Sequence, residues 1–159
     1  VVALLDEGAS HDRVHGLLRA GCHAPDVLRL EVQSVLRRLE RAGLVPREMV
    51  ESAHKLFTRF PIDYVTHAGL AVRCWELRHT VTPFDAAYVA IAEGLDVPLV
   101  TTDARLSRAP GLRCTIEVLT SRRAKGGGEQ AYAAGKLATT GVRAVISGEP
   151  PEERRETAH

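Results

Sequence analysis

Apolar positions follow helical spacing through much of this chain and contract into short unbroken runs elsewhere. From Leu28 onward, Val32, Val35, Leu36 and Leu39 fall on one stripe of a helix. Pro25 reads as the first residue of that helix, where the N–H that proline lacks would have no partner anyway. Gly43 suits the position just past its end. Pro46 restarts a helix whose stripe is Met49, Val50, Ala53, Leu56, Phe57 and Phe60, and the short link between the two predicts a helical hairpin. A more polar helix is expected earlier, around Asp12 to Ala20, closed by Gly21.

Beyond Pro61 the pattern alternates. Ile62 to Val65 suits a short strand, and about Gly69 to Arg78 a helix with Leu70, Cys74 and Leu77 facing inward and Trp75 beside them. Thr82-Pro83-Phe84-Asp85 opens the next helix, which runs to Glu93. Its Ala86, Ala87, Ala90 and Ala92 are small enough for close packing on a sheet. Pro98 to Thr102 shows little alternation and reads as a buried strand. A short helical turn after Asp103 and a last strand from Cys114 to Leu119 complete the series. Helices alternating with short apolar strands predict an α/β domain with a parallel sheet. Such domains usually begin on a strand, and none is read ahead of the first helix.

Composition narrows the picture. The chain has 159 residues, 45% apolar, with a formal charge of +1. No apolar run approaches the ~18 residues of a membrane helix, so no membrane partner is expected. Near-neutral charge argues against coating nucleic acid by bulk electrostatics. Cys22, Cys74 and Cys114 are odd in number and widely spaced. They fit reduced thiols in the cytoplasm better than a disulfide or zinc framework. Composition then shifts near Leu119. Residues 1–119 hold 14 basic and 15 acidic side chains, whereas residues 120–159 hold 7 and 5, together with six of the 13 glycines. The expected organisation is a folded unit over 1–119 and a flexible Gly- and charge-rich extension over 120–159. Val142 to Ile146 could form a short strand within the extension, but nothing frames it.

Three carboxylates stand out. Glu31 lies one turn from both Leu28 and Val35, at the margin of the apolar stripe, where a carboxylate is costly unless it is paired, hydrogen-bonded or bound to metal. A salt bridge with Arg38 or a capping role near Asp26 would also account for it. Asp85 stands three residues after Thr82, close to a capping box. Asp103 directly follows a buried strand, and in open α/β sheets ligand sites lie beyond such strand ends. An N-cap role is the alternative. Together they are hard oxygen donors on separate elements, a type that suits Mg²⁺ or Mn²⁺ and not zinc.

At this point the sequence resembles the PIN-domain ribonucleases, specifically the VapC-like toxins of toxin–antitoxin pairs. The resemblance rests on His23-Ala24-Pro25-Asp26-Val27-Leu28-Arg29-Leu30-Glu31-Val32, Trp75-Glu76-Leu77-Arg78, Thr82-Pro83-Phe84-Asp85-Ala86-Ala87-Tyr88-Val89-Ala90 and Leu99-Val100-Thr101-Thr102-Asp103-Ala104-Arg105-Leu106, in that order. It implies a PIN-like α/β fold with a helical hairpin and an endoribonuclease dependent on Mg²⁺ or Mn²⁺. Glu31, Asp85 and Asp103 match the family's second, third and fourth acids, as catalytic and metal-holding residues. Thr101 matches the hydroxyl residue two before the last acid. The resemblance further implies an RNA substrate, a cognate antitoxin and a homodimer, with Arg78, Arg105 and Arg108 as RNA-holding candidates. The family's first acid ends a first strand whose counterpart is expected just before Val1. That strand and its Asp are therefore expected to be absent, which would cripple the nuclease. Asp6 and Glu7 are not substitutes by position. Filling of the vacant strand position by Val142 to Ile146 is the less favoured alternative. One other class stays open, a non-catalytic binding or dimerisation module on the Pro25–Phe60 hairpin. A receiver-like domain lacks support, because the acids come from helices as well as a strand end and no suitably placed Lys follows.

Overall fold

The computed structural model describes residues 16–19, 21–119 and 143–145. Its elements are β1 (Cys22–Pro25), α1 (Leu28–Arg41), α2 (Arg47–Phe57), β2 (Ile62–Val65), α3 (Ala71–Glu76), α4 (Pro83–Leu95), β3 (Leu99–Thr101), β4 (Ile116–Val118) and β5 (Arg143–Val145). The sheet order is β2-β1-β5-β3-β4. β1 pairs with β2 in parallel, and β3 with β4 likewise. β5 is antiparallel to both of its neighbours. β1 and β3 therefore run the same way, and their carboxyl ends share one edge of the sheet. This is the expected α/β architecture of parallel strands flanked by helices.

The helices form where the apolar stripes place them. α1 buries Val32, Val35, Leu36 and Leu39, and α2 buries Val50, Ala53 and Phe57. The two pack together as the expected hairpin. Gly43 turns the chain between them at φ 66°, a left-handed conformation that glycine adopts without a Cβ penalty. Met49, assigned to the stripe, faces solvent instead. α4 is buried along most of its length, and its alanines let it lie close against β1, β3 and β5. Leu70, Cys74 and Leu77 are buried as expected, while Trp75 is exposed. Cys22 and Cys74 are buried and Cys114 is half-buried, all as free thiols. Burial, and secondarily the charge of Asp63, push the Cys22 thiol up to about 11.

Two readings of the sequence are corrected. Pro25 does not open α1. It is the buried last residue of β1, opposite Val65, and α1 begins at Leu28. At that level the Asp26 amide donates to the Val65 carbonyl, so the missing Pro25 N–H leaves no gap in the ladder. The second correction concerns the extension. Residues 143–145 do not stand apart from the folded unit. They form the central strand of its sheet, in the position expected to be vacant. An opening between β1 and β3 exposes backbone donors and acceptors on both sides, and a strand that pairs with both satisfies them. The rest of the extension lies outside the described residues, as do Asp6, Glu7 and most of the expected Asp12–Ala20 helix.

A charged clamp ties α3, α4 and the approach to β4 together. The Arg73 guanidinium donates to Glu93 at 2.6 and 3.0 Å, to Glu76 at 2.9 Å and to the Gly111 carbonyl at 2.8 Å. The Arg113 amide adds a 2.8 Å bond to Glu93. The Glu93 side chain is only 9% exposed. Burial alone would raise its pKa, but Arg73 and the Arg113 amide outweigh burial and hold it below the ordinary carboxylate range. A carboxyl depressed on folding contributes stability above its unfolded value of ~4.3, and that contribution fades as pH falls through the folded value. Glu93→Gln is therefore expected to cost about 1–3 kcal/mol at pH 7. The gap from the parent should shrink as urea denaturation is repeated at pH 5, 4 and 3.

Candidate active site

Two of the three acids follow the carboxyl ends of β1 and β3, and the third opens α4. Beyond β1 the chain turns into α1, whose first turn carries Glu31. Its partner comes from another element: the Tyr88 hydroxyl donates to Glu31 Oε2 at 2.8 Å. Tyr88 is buried on α4, three residues after Asp85 and therefore on the same helix face. This cross-element bond is how a carboxylate at the margin of an apolar stripe is accommodated.

Asp85 sits in the first turn of α4, behind Pro83 at N1. Thr82 is the N-cap. Its Oγ1 accepts from the Asp85 amide at 3.2 Å, and its hydroxyl donates to Asp85 Oδ2 at 2.6 Å. The capping alternative is thus realised in modified form, with the carboxylate engaging the Thr82 hydroxyl. Asp85 is only 8% exposed. Thr82→Ala should cost about 1 kcal/mol, as N-cap deletions do. Calorimetry should show the melting midpoint falling by about 2–8 °C, with Thr82→Ser close to the parent.

Asp103 follows β3 on a tight turn. Its amide donates to the fully buried Thr101 Oγ1 at 3.0 Å, which fixes the turn. The Arg105 amide donates to Asp103 Oδ1 at 2.9 Å, so the N-cap-like alternative is also present. The Arg105 side chain returns to the same carboxylate: Nε lies 3.0 and 3.2 Å from the two oxygens, and Nη2 lies 2.7 Å from Oδ2. That side chain is 83% exposed. Its pKa is raised first by the hydrogen bond to Asp103 and then by the charge of Asp103, with Asp85 adding to the effect. Asp85 and Asp103 thus share one cation's field.

The remaining arginines are placed differently. Arg78 lies over the Trp75 ring, 4.8 Å from its centroid, and donates to the Trp75 carbonyl at 2.8 Å. Arg108 is exposed on the 3-10 turn Leu106–Arg108. Tyr88 was not among the residues singled out from sequence. The available signal was a phenol in an alanine-rich helix, because a buried Tyr hydroxyl usually needs a partner.

Glu31, Asp85, Asp103 and Thr101 offer only oxygen donors, the type that Mg²⁺ and Mn²⁺ take. Among the described residues, however, no three Asp, Glu, His or Cys side chains come close enough together to hold one ion. The donor type fits such an ion, while the described spacing does not enclose it.

Residues 1–112 match the PIN domain family. Ribonuclease VapC1 of Mycobacterium tuberculosis is 39% identical over 121 residues, spanning 75% of this chain and 91% of that protein. Ribonuclease VapC9 of the same organism is 35% identical over 124 residues, with the same shares covered. Ribonuclease VapC3 is 37% identical over 93 residues, 58% of this chain and 68% of that protein.

Proposed function

This chain belongs to the PIN-domain family, and from that membership we propose that it is an endoribonuclease toxin acting on RNA phosphodiester bonds. What supports the reading is that Glu31 follows β1, Asp85 opens α4, whose Tyr88 bonds Glu31, and Asp103 follows β3. Tyr88 orients the first, Thr82 holds the second and the Thr101 turn fixes the third. The similarity to proteins named ribonuclease VapC supports the same substrate class.

The proposed reaction is hydrolysis. Water adds to phosphorus and gives a proton to a carboxylate, the P–O bond to the leaving oxygen breaks, and that oxygen is protonated in turn. Asp85 and Asp103 are the candidates for that proton transfer. Arg105 is exposed and able to exchange Asp103 for a phosphate, because an exposed ion pair contributes little. Arg78 and Arg108 are further candidates to hold the RNA backbone. Mg²⁺ or Mn²⁺ is the proposed cofactor, on the chemistry of the oxygen donors. It would lower the pKa of water and neutralise phosphate charge. A cognate antitoxin, a homodimer through the α1–α2 hairpin and a cytoplasmic setting belong to the same proposal. Among the described residues, no helix is long and apolar enough to cross a membrane.

A second reading, a non-catalytic binding module, is favoured by one observation: Asp103 is held by Arg105 and Asp85 by Thr82, as structural acids would be. The two readings part in one assay. The nuclease reading expects the purified chain to cleave labelled RNA with Mn²⁺ and to stop when EDTA is added. Intact RNA at high Mn²⁺ would favour the module.

A further inference from the structure

Two aromatic side chains among the described residues stand open to solvent, and both flank the approach to Asp85. Trp75 is 70% exposed and Phe84 51%. The other described aromatics are buried or half-buried. Trp75 lies in the last turn of α3, and Phe84 in the first turn of α4, next to Asp85. The connection between the helices folds tightly, with the Thr80 and Val81 amides both donating to the Leu77 carbonyl at 2.9 and 3.1 Å. α3 and α4 also pack on each other. The end of α3 that carries Trp75 therefore adjoins the end of α4 that carries Asp85.

The indole also carries a cation. The Arg78 guanidinium lies over the ring, 4.8 Å from its centroid, and is held there by a 2.8 Å bond to the Trp75 carbonyl. Among the described residues, no carboxylate pairs with it. An open aromatic surface and a permanent positive charge are thus fixed side by side. Covering this face with an apolar partner would strip water from an unpaired charge, which is costly. An unpaired nucleotide suits both groups. Its base stacks on the ring whatever its identity, and its phosphate meets the guanidinium.

We infer that Trp75 and Arg78 form a stacking subsite for one unpaired nucleotide of single-stranded RNA on the approach to Asp85. The inference rests on the nuclease reading for RNA as the ligand, and it narrows the substrate class. Within a duplex each base is stacked between its neighbours and none is available to the indole, whereas the splayed bases of a single strand are. Stacking tolerates any base, so the subsite selects for strandedness and not for sequence.

Trp75 is the only tryptophan of the chain, so its fluorescence reads the subsite directly. The full chain is titrated in EDTA with oligouridylate, and with the same strand annealed to oligoadenylate. The single strand should quench the fluorescence saturably, and the duplex should leave it near that of the free protein. Anisotropy of a labelled strand should show Trp75→Ala binding roughly 5–150-fold more weakly, the loss of one base–aromatic stack. Trp75→Phe should restore most of that affinity. Arg78→Gln should make the salt dependence shallower by about 0.7 in log–log slope, as loss of one single-strand phosphate contact predicts. Binding without quenching would overturn the inference, as would equal quenching by the duplex, parent-like affinity in Trp75→Ala, or no binding by the parent. So would a parent dimer in sedimentation that Trp75→Ala converts to a monomer, which would assign the face to a second copy. Mn²⁺ added to the same samples separates the two proposals. Quenched, Trp75-dependent binding with no cleavage removes the nuclease reading and leaves the subsite standing. Cleavage without quenching, unchanged in Trp75→Ala, removes the subsite alone.

Discussion

With Mn²⁺ at saturation, Asp85→Asn is expected to lower RNA cleavage by about 100-fold or more, the scale of losing one preorganised electrostatic group at a reacting phosphate. The fold should hold. Asparagine keeps the size of the side chain, and its carbonyl can still accept the Thr82 hydroxyl that now donates to Asp85 Oδ2 at 2.6 Å. The variant therefore removes charge while sparing the cap, which Asp85→Ala would not do. Parallel measurement of the melting midpoint makes the result interpretable. A midpoint within a few degrees of the parent, together with lost cleavage, identifies Asp85 as a working acid. Retained cleavage would show that Asp85 only caps α4, and would sink its role in the chemistry.

Tyr88→Ala is expected to be the most destabilising single change at the site, at about 3–5 kcal/mol. The ring is among the largest fully buried side chains and packs in the main core. Its loss would leave a cavity and also remove the hydroxyl that donates to Glu31. Tyr88→Phe separates the two effects. It keeps the ring and should cost about 1.5–3 kcal/mol, the range for a hydrogen bond to a charged group. If Tyr88 orients Glu31 for catalysis, Tyr88→Phe should lower cleavage at full Mn²⁺ saturation more than its small stability loss explains. Urea denaturation and cleavage rates on the same preparations decide this. A phenylalanine variant that is slightly less stable and fully active would confine Tyr88 to the core.

The helices were legible because their signals are local. The apolar stripe from Leu28 to Leu39 and the turn at Gly43 specify α1, α2 and their hairpin from neighbours a few residues away. Thr82, Pro83 and Asp85 announced the start of α4 for the same reason. The three carboxylates were singled out from the sequence, but their hydrogen-bond partners were not. The sequence reading left an Arg38 bridge open for Glu31, and the structure supplies Tyr88, 57 residues further on. It offered a local cap for Asp103, and the structure adds the Arg105 side chain to that cap. Local alternatives were right where the partner lies within one turn.

The sequence by itself determined the helical framework, the alternation that makes an α/β domain, and the three acids with their order along the chain. Each follows from short-range chemistry: periodicity, capping and a carboxylate set where its neighbours disfavour it. Tertiary structure alone decided that Cys22–Pro25 is a strand, because a four-residue segment becomes one only when Val65 and its neighbours stand in register beside it. It alone decided that the centre of the sheet belongs to residues 143–145. A three-residue strand carries almost no periodic signal. Its place is fixed by unpaired backbone groups on β1 and β3 and by the core around Val145, both of which exist only once the rest of the chain has folded.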